Sequence, residues 1–207
     1  MLEKKTIKAV ILIGGPAKGT RFRPLSLEMP KPLFPIAGYP MIYHHIEAFS
    51  KIPNMKEIIL IGFYQPNEIL SRLISDAGRE FGMNIRYLQE FTSLGTAGGI
   101  FQFRDQISAS GLDLLFVMNA DVCCDAPLQE MVDFHASLGS VDKFVVLSTE
   151  VCFFFFITHY VEKPDTFVSV RINCGIYLFT PSIFKFIRVA FLEHQNQKFN
   201  GFLMCER

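Results

Sequence analysis

Much is settled by what the 207-residue chain lacks. It has no excess of either charge: Lys plus Arg and Asp plus Glu number 20 each, and the formal net charge is zero. That balance gives no electrostatic case for a nucleic-acid or other polyanionic partner. It has no C-x-x-C pair. Its cysteines are Cys123, Cys124, Cys152, Cys174 and Cys205, an odd number with two adjacent. This argues against a disulfide framework and against a structural zinc site, and leads us to expect reduced, buried thiols in a cytoplasmic protein. No apolar run approaches the roughly 20 residues of a membrane span. The N-terminal "MLEKKTIKAVILIGG" has too short an apolar stretch for a signal peptide and leads straight into glycine. There is no internal repeat and no low-complexity linker.

What is present is a core-forming composition. Half of the residues are hydrophobic and 19% are charged, which at this length suits one domain, or one domain with part of a second. The order of elements alternates. Ile7–Ile13 reads as a buried parallel strand, 41–52 as a helix and 57–61 as a strand. A helix is predicted over 67–81, a strand over 84–89, a helix over 98–107 and a strand over 112–119. Asp125-Ala126-Pro127 is a helix-start signal for 125–138, and 143–148 reads as a strand. Strand 173–179 and helix 181–195 follow, after an uncharged run holding Phe153–Phe156 that is expected to be core or anomaly. This rhythm predicts an α/β, Rossmann-like, mostly parallel sheet with helices on both faces. Ligands of such sheets sit beyond the carboxyl ends of the strands.

The glycine loop after the first strand, "GGPAKGTR", fits neither common phosphate-loop spacing. G-x-G-x-x-G is not supplied, and after Gly14 and Gly19 the chain continues Thr20-Arg21 where a Walker A loop needs Lys-Ser/Thr. Small residues still let backbone N–H groups approach an anion, and Arg21 can fork two phosphate oxygens. Lys31, between Pro30 and Pro32, is a second cation on a stiffened loop. A tight strand-to-helix turn with surface charges is the alternative. Asp121, directly after a buried strand, reads either as a ligand-facing carboxylate or as a helix cap. His44-His45 lie on one predicted helix at adjacent positions, which do not share a face, so packing explains them better than metal binding. Cys123-Cys124 have no activating partner in sequence, so they are not read as catalytic.

Taken together, "GG…GTRFRPLS…PKPLFPIAG", "LQEFTSLGTAGG", "FVMNADV", "YVEKP" and "NCGIYLF" resemble, in order, the motifs of sugar-1-phosphate nucleotidyltransferases over residues 8 to about 180. Within that family they are most similar to the alpha-type branch of the mannose-1-phosphate guanylyltransferases (GDP-mannose pyrophosphorylases), which reads "GGPxKGTRFRPLS". The resemblance implies the nucleotide-diphospho-sugar transferase fold. It also implies the reaction, attack of a sugar-1-phosphate oxygen on the α-phosphate of GTP with loss of pyrophosphate. Such transfers depend on positioning and charge neutralisation. By resemblance, Gly14, Gly15, Gly19, Thr20 and Arg21 wrap the phosphates, Lys31 contacts the transferring phosphate, and Gly95 and Thr96 line the nucleotide pocket. Asp121 holds Mg²⁺, Glu162 and Lys163 meet the sugar and its phosphate, and Asn173 meets the sugar hydroxyls.

The sequence departs from the family in three places. Pro16-Ala17-Lys18 lengthens the loop by two residues. Residues 149–159 replace a family strand and hairpin that help cover the sugar. No match follows for the second metal-binding Asp of a Trp-x-Asp-like segment, or for the C-terminal β-helix, so a weak Mg²⁺ site and an incomplete C-terminal part of the domain are expected. The expectation that follows is an alpha-type regulatory subunit that binds GDP-mannose and tunes a catalytic beta-type subunit. The alternatives are an active mannose-1-phosphate guanylyltransferase and a fragment that does not function. A nucleotide-sugar glycosyltransferase is less suited, because no D-x-D motif occurs.

Overall fold

The computed structural model describes residues 5–15, 23–27, 29–91, 95–139, 143–149, 161 and 166–192. β1 (Ile7–Gly14) is followed by a 3₁₀ turn at Lys31–Leu33 and a small antiparallel ribbon, β2 (Pro35–Ile36) and β3 (Tyr39–Pro40). Then come α1 (Met41–Ser50), β4 (Met55–Gly62), α2 (Glu68–Glu80) and β5 (Asn84–Gln89). Next are α3 (Gly95–Gln102), α4 (Arg104–Ser108), β6 (Leu114–Asn119) and α5 (Leu128–Ser137). β7 (Val145–Ser148) and β8 (Asn173–Phe179) complete the sheet, and residues 183–192 form a further helix, α6.

Long aliphatic runs build the sheet. Its order is β5-β4-β1-β6-β8-β7. β5, β4, β1 and β6 are parallel, with Val10 opposite Ile59 on one side and Val117 on the other. β8 runs antiparallel to β6, and β7 antiparallel to β8. Alternate residues of β1 point to opposite faces. Ile7, Ala9 and Ile11 meet Ile42, Ile46 and Phe49 of α1, Leu70 and Ala77 of α2, and Leu128 and Met131 of α5. On the other face Val10, Ile59, Ile61, Leu115 and Val117 meet Ile100 of α3, Ile107 of α4, and Phe184 and Ile187 of α6. The mostly parallel sheet with helices on both faces is therefore as expected. No helix among the described residues is long and apolar enough to cross a membrane.

Several boundaries shift for visible reasons. α2 starts where Asn67 caps it, its Oδ1 accepting from the Leu70 N–H at 2.8 Å. The single helix predicted over 98–107 is two, broken at Phe103. α5 begins at Leu128 rather than 125, with Pro127 before its first turn. β1 is not a purely apolar strand. Lys8 is buried on the α4 face, where its Nζ donates to the Ile107 carbonyl at 2.8 Å and lies 3.3 Å from Glu57 Oε2. Glu57 in turn accepts from Asn84 at 2.9 Å and from the Arg86 guanidinium. This polar knot sits near the amino ends of the strands, opposite the edge where a ligand is expected.

Candidate functional site

The carboxyl ends of β1, β4, β5 and β6 form one edge, and consecutive backbone bonds zip it together. The Phe63 N–H donates to the Gly14 carbonyl at 2.8 Å, Glu90 N–H to Gly62 at 2.7 Å, and Ala120 N–H to Leu12 at 3.0 Å. Because β8 is antiparallel to β6, its first residue, Asn173, arrives at the same edge. The edge is packed too closely for side chains at Gly15 and Gly62. A Cβ on Gly15 would lie 2.6 Å from Phe63 Cβ, and one on Gly62 would lie 2.5 Å from the Gly14 carbonyl oxygen. Gly14 itself takes φ +68°, a left-handed turn that glycine adopts without strain. Gly14 and Gly15 thus leave the head of β1 as bare backbone, the geometry a phosphate cradle needs.

Lys31 begins the 3₁₀ turn. The Leu33 N–H donates to the Pro30 carbonyl at 2.9 Å and the Phe34 N–H to the Lys31 carbonyl at 3.1 Å, and Pro32 and Leu33 are buried. The turn anchors its backbone and leaves the ammonium to reach outward. Its Nζ lies 2.7 Å from Asp121 Oδ2, with the two side chains 30% and 49% exposed. Two residues assigned to the site from separate motifs therefore meet directly. Asp121 is not a helix cap, since α5 starts seven residues later and Pro127 precedes its first turn.

Residues that the sequence did not assign to the site hold this arrangement. His45, buried on α1, shares a hydrogen bond of 3.0 Å with the Ala120 carbonyl, which fixes the peptide just before Asp121. With a carbonyl as acceptor the ring nitrogen donates. Burial lowers the His45 pKa, with the Ala120 bond opposing that shift. His44 bonds the Ile36 carbonyl at 2.9 Å, so both histidines serve packing and backbone anchoring, as expected. The Tyr87 hydroxyl donates to the Gly62 carbonyl at 2.9 Å and approaches the Tyr64 carbonyl at 2.6 Å. Burial, with the Glu90 charge adding to it, pushes Tyr87 up to about 12, so it stays a neutral donor. Burial likewise raises Tyr64, opposed by a hydrogen bond with the Lys31 backbone, which ties the end of β4 to the Pro-Lys-Pro turn. The only signal for these two was an aromatic residue at or just beyond a strand end.

Other assignments fare differently. Asn173 is committed within the protein: its Nδ2 donates to the Tyr177 hydroxyl at 2.7 Å and its Oδ1 accepts from the Gly175 N–H at 2.8 Å. A sugar hydroxyl would have to share these groups. Gly95 and Thr96 form the first turn of α3, at the same edge. Gly19, Thr20, Arg21, Glu162, Lys163, Cys152, Cys205 and the Phe153–Phe156 run lie outside the described residues. The expectation of buried thiols is corrected: Cys123 and Cys124 are exposed, on the loop leaving β6, and Cys174 is half-buried. Local desolvation pushes Cys124 and Cys174 above the ordinary thiol value, so little thiolate forms at neutral pH.

One half-exposed carboxylate, Asp121, suits a hard divalent cation that brings phosphate oxygens with it. It does not make a cage by itself, and among the described residues no group of three or more His, Cys, Asp or Glu lies together.

Comparison with known proteins places these features in context. Residues 8–152 match the family model described as Nucleotidyl transferase. The chain is 58% identical over 205 residues to mannose-1-phosphate guanylyltransferase regulatory subunit alpha-A of Danio rerio, covering 92% of this chain and 49% of that protein. It is 57% identical to the regulatory subunit alpha of Xenopus tropicalis, over the same shares. It is 53% identical to that of Rattus norvegicus, covering 91% and 48%. The chain thus spans about half the length of the curated relatives it matches. In fold it is similar to a crystal structure described as a glucose-1-phosphate thymidylyltransferase from Bacillus anthracis, with TM-score 0.74 and 22% identity over 88% of this chain and 75% of that one. It is also similar to a UDP-glucose pyrophosphorylase solved with UDP-glucose, with TM-score 0.62 and 18% identity over 88% and 79%.

Proposed function

The chain belongs to the nucleotidyl transferase family, and on that premise we propose that it is an alpha-type regulatory subunit of GDP-mannose synthesis, which binds GDP-mannose and modulates a catalytic beta-type subunit. The observation that carries a phosphate-ligand site is the meeting of Lys31 and Asp121 beside the bare backbone of Gly14 and Gly15. A pyrophosphate-linked ligand would lie across that edge. Lys31 would neutralise phosphate charge, the backbone N–H groups of the β1 turn would donate to phosphate oxygens, and Arg21 would fork the same group from the loop. Gly95 and Thr96 would line the nucleotide side, and Glu162, Lys163 and Asn173 the sugar side. Asp121 would hold Mg²⁺, which when bound neutralises phosphate charge. The identity to proteins named regulatory subunit alpha supports the subtype. So does the two-residue extension at Pro16-Ala17-Lys18, because transfer geometry tolerates little displacement. The odd number of cysteines and the lack of C-x-x-C suit the reducing cytoplasm.

An active guanylyltransferase is the second reading, favoured by retention of Arg21, Lys31 and Asp121. The test is turnover of GTP and mannose-1-phosphate by the purified chain, beside calorimetric titration with GDP-mannose. Binding without turnover is the expected result. Turnover matching a beta-type enzyme would rule out the regulatory reading, and failure of the folded chain to bind would rule out both.

A further inference from the structure

We propose that Lys31 is a latch on the cation side of this site: its ammonium occupies the Asp121 carboxylate that a divalent cation would use, so cation and lysine compete. The inference rests on reading Asp121 as the cation-binding side of the phosphate site.

The two partners are held differently, and this determines which one moves. Asp121 is placed by the core. Its preceding residue, Ala120, donates its N–H to the Leu12 carbonyl at 3.0 Å, and the Ala120 carbonyl is taken by the buried His45 ring at 3.0 Å. The carboxylate therefore has a fixed origin. Lys31 projects from a 3₁₀ turn whose backbone is anchored by buried Pro32 and Leu33, but its ammonium sits at the end of a flexible four-carbon stem. At 2.7 Å the ammonium takes up the carboxylate's negative charge. A cation arriving alone must displace it, and then faces an ammonium a few ångströms away.

A phosphate chain changes this balance. Its oxygens offer the ammonium a new acceptor at the same edge, beside Gly14 and Gly15. Once Lys31 turns to the phosphate, Asp121 is released to a cation that the phosphate also coordinates. The latch thus orders the events: anion first, cation second. It also lets the chain take a diphosphate ligand without a metal, because Lys31 already supplies one positive charge.

The experiment uses Mn²⁺ as a paramagnetic stand-in for Mg²⁺, with free Mn²⁺ counted by electron paramagnetic resonance and no nucleotide present. Wild type, Lys31→Gln, Asp121→Asn and Lys51→Gln are compared, each checked for folding by circular dichroism. Lys51 pairs with Glu47 on the surface of α1 and controls for a general charge effect. Lys31→Gln should tighten Mn²⁺ by about two- to fivefold, Asp121→Asn should abolish that gain, and Lys51→Gln should match wild type. Unchanged Mn²⁺ affinity in Lys31→Gln, an equal gain in Lys51→Gln, or no Mn²⁺ binding to any variant would each overturn the latch. A parallel GDP-mannose titration separates the two claims. If GDP-mannose fails to bind while Lys31→Gln still tightens Mn²⁺, the proposed function falls and the latch stands.

Discussion

The Lys31 ammonium meets the Asp121 carboxylate at 2.7 Å although 90 residues separate them in the chain. The pair is half-exposed, so its direct contribution to stability is small, at most about 1 kcal/mol. Its importance lies in where it places charge. Lys31→Glu should therefore change the urea unfolding free energy by less than about 1 kcal/mol. It should weaken metal-free GDP-mannose binding by about tenfold or more, because a charge-assisted phosphate contact becomes a repulsion. Calorimetry on the variant, beside its urea curve, checks both. Equal affinity in the variant would remove Lys31 from the ligand site.

The head of β1 makes a second, purely steric prediction. Gly15→Ala would bring a methyl group within 2.6 Å of Phe63 Cβ, and Phe63 is held by its N–H bond to the Gly14 carbonyl at 2.8 Å. Neither backbone can yield alone. The substitution should cost about 1–3 kcal/mol, as overpacking does, and should weaken ligand binding by displacing the turn. A urea midpoint equal to wild type would show that the turn relaxes freely.

Those residues also mark how far the sequence could be read. The strands and most helices were legible because aliphatic runs and helical spacing are local signals. β5 fell at its predicted bounds, and α2 began one residue later than predicted because Asn67 caps it. Lys31 and Asp121 were each legible as candidates, from a proline-flanked loop and a strand end, but their meeting was not, since no local signal pairs residues 90 apart. The antiparallel insertion of β8 between β6 and β7 is a matter of non-local pairing, which alternation cannot predict. Lys8 was absorbed into an apolar run because its partners, Glu57 and the Ile107 carbonyl, lie far along the chain. The exposed Cys123 and Cys124 were misjudged because cysteine is usually buried, although the strand predicted over 112–119 ends before them.

The knot around Lys8 gives an asymmetric prediction. Glu57 has three partners, Lys8, Arg86 and Asn84, whereas Lys8 is almost wholly enclosed. Glu57→Gln leaves a buried ammonium without its counter-charge and should cost about 3 kcal/mol or more. Lys8→Met leaves Glu57 with Arg86 and Asn84 and should cost less. The double variant should be more stable than Glu57→Gln by itself, because the uncompensated charge is gone. Urea denaturation of the three proteins tests the order. A double variant less stable than both single ones would contradict a dominant desolvation penalty.

Acid sensitivity follows from two buried imidazoles. Burial lowers the pKa of His45, with the neighbouring His44 adding to it and the Ala120 carbonyl opposing. Burial also lowers His135, with Lys5 adding to it and the Lys143 carbonyl opposing, and His135 Nδ1 is buried without a partner. A histidine whose folded pKa lies below its unfolded value binds fewer protons when folded. Stability is therefore unaffected above the unfolded value of about 6.5. It is lost as the pH falls below that value toward the lowered folded pKa values. The unfolding free energy from urea curves should decline between pH 7.5 and 5.5. His135→Gln, which cannot titrate, should flatten part of that decline, and His45→Gln another part. A wild-type free energy that is flat or rising toward pH 5.5 would show that neither ring is held neutral by the fold.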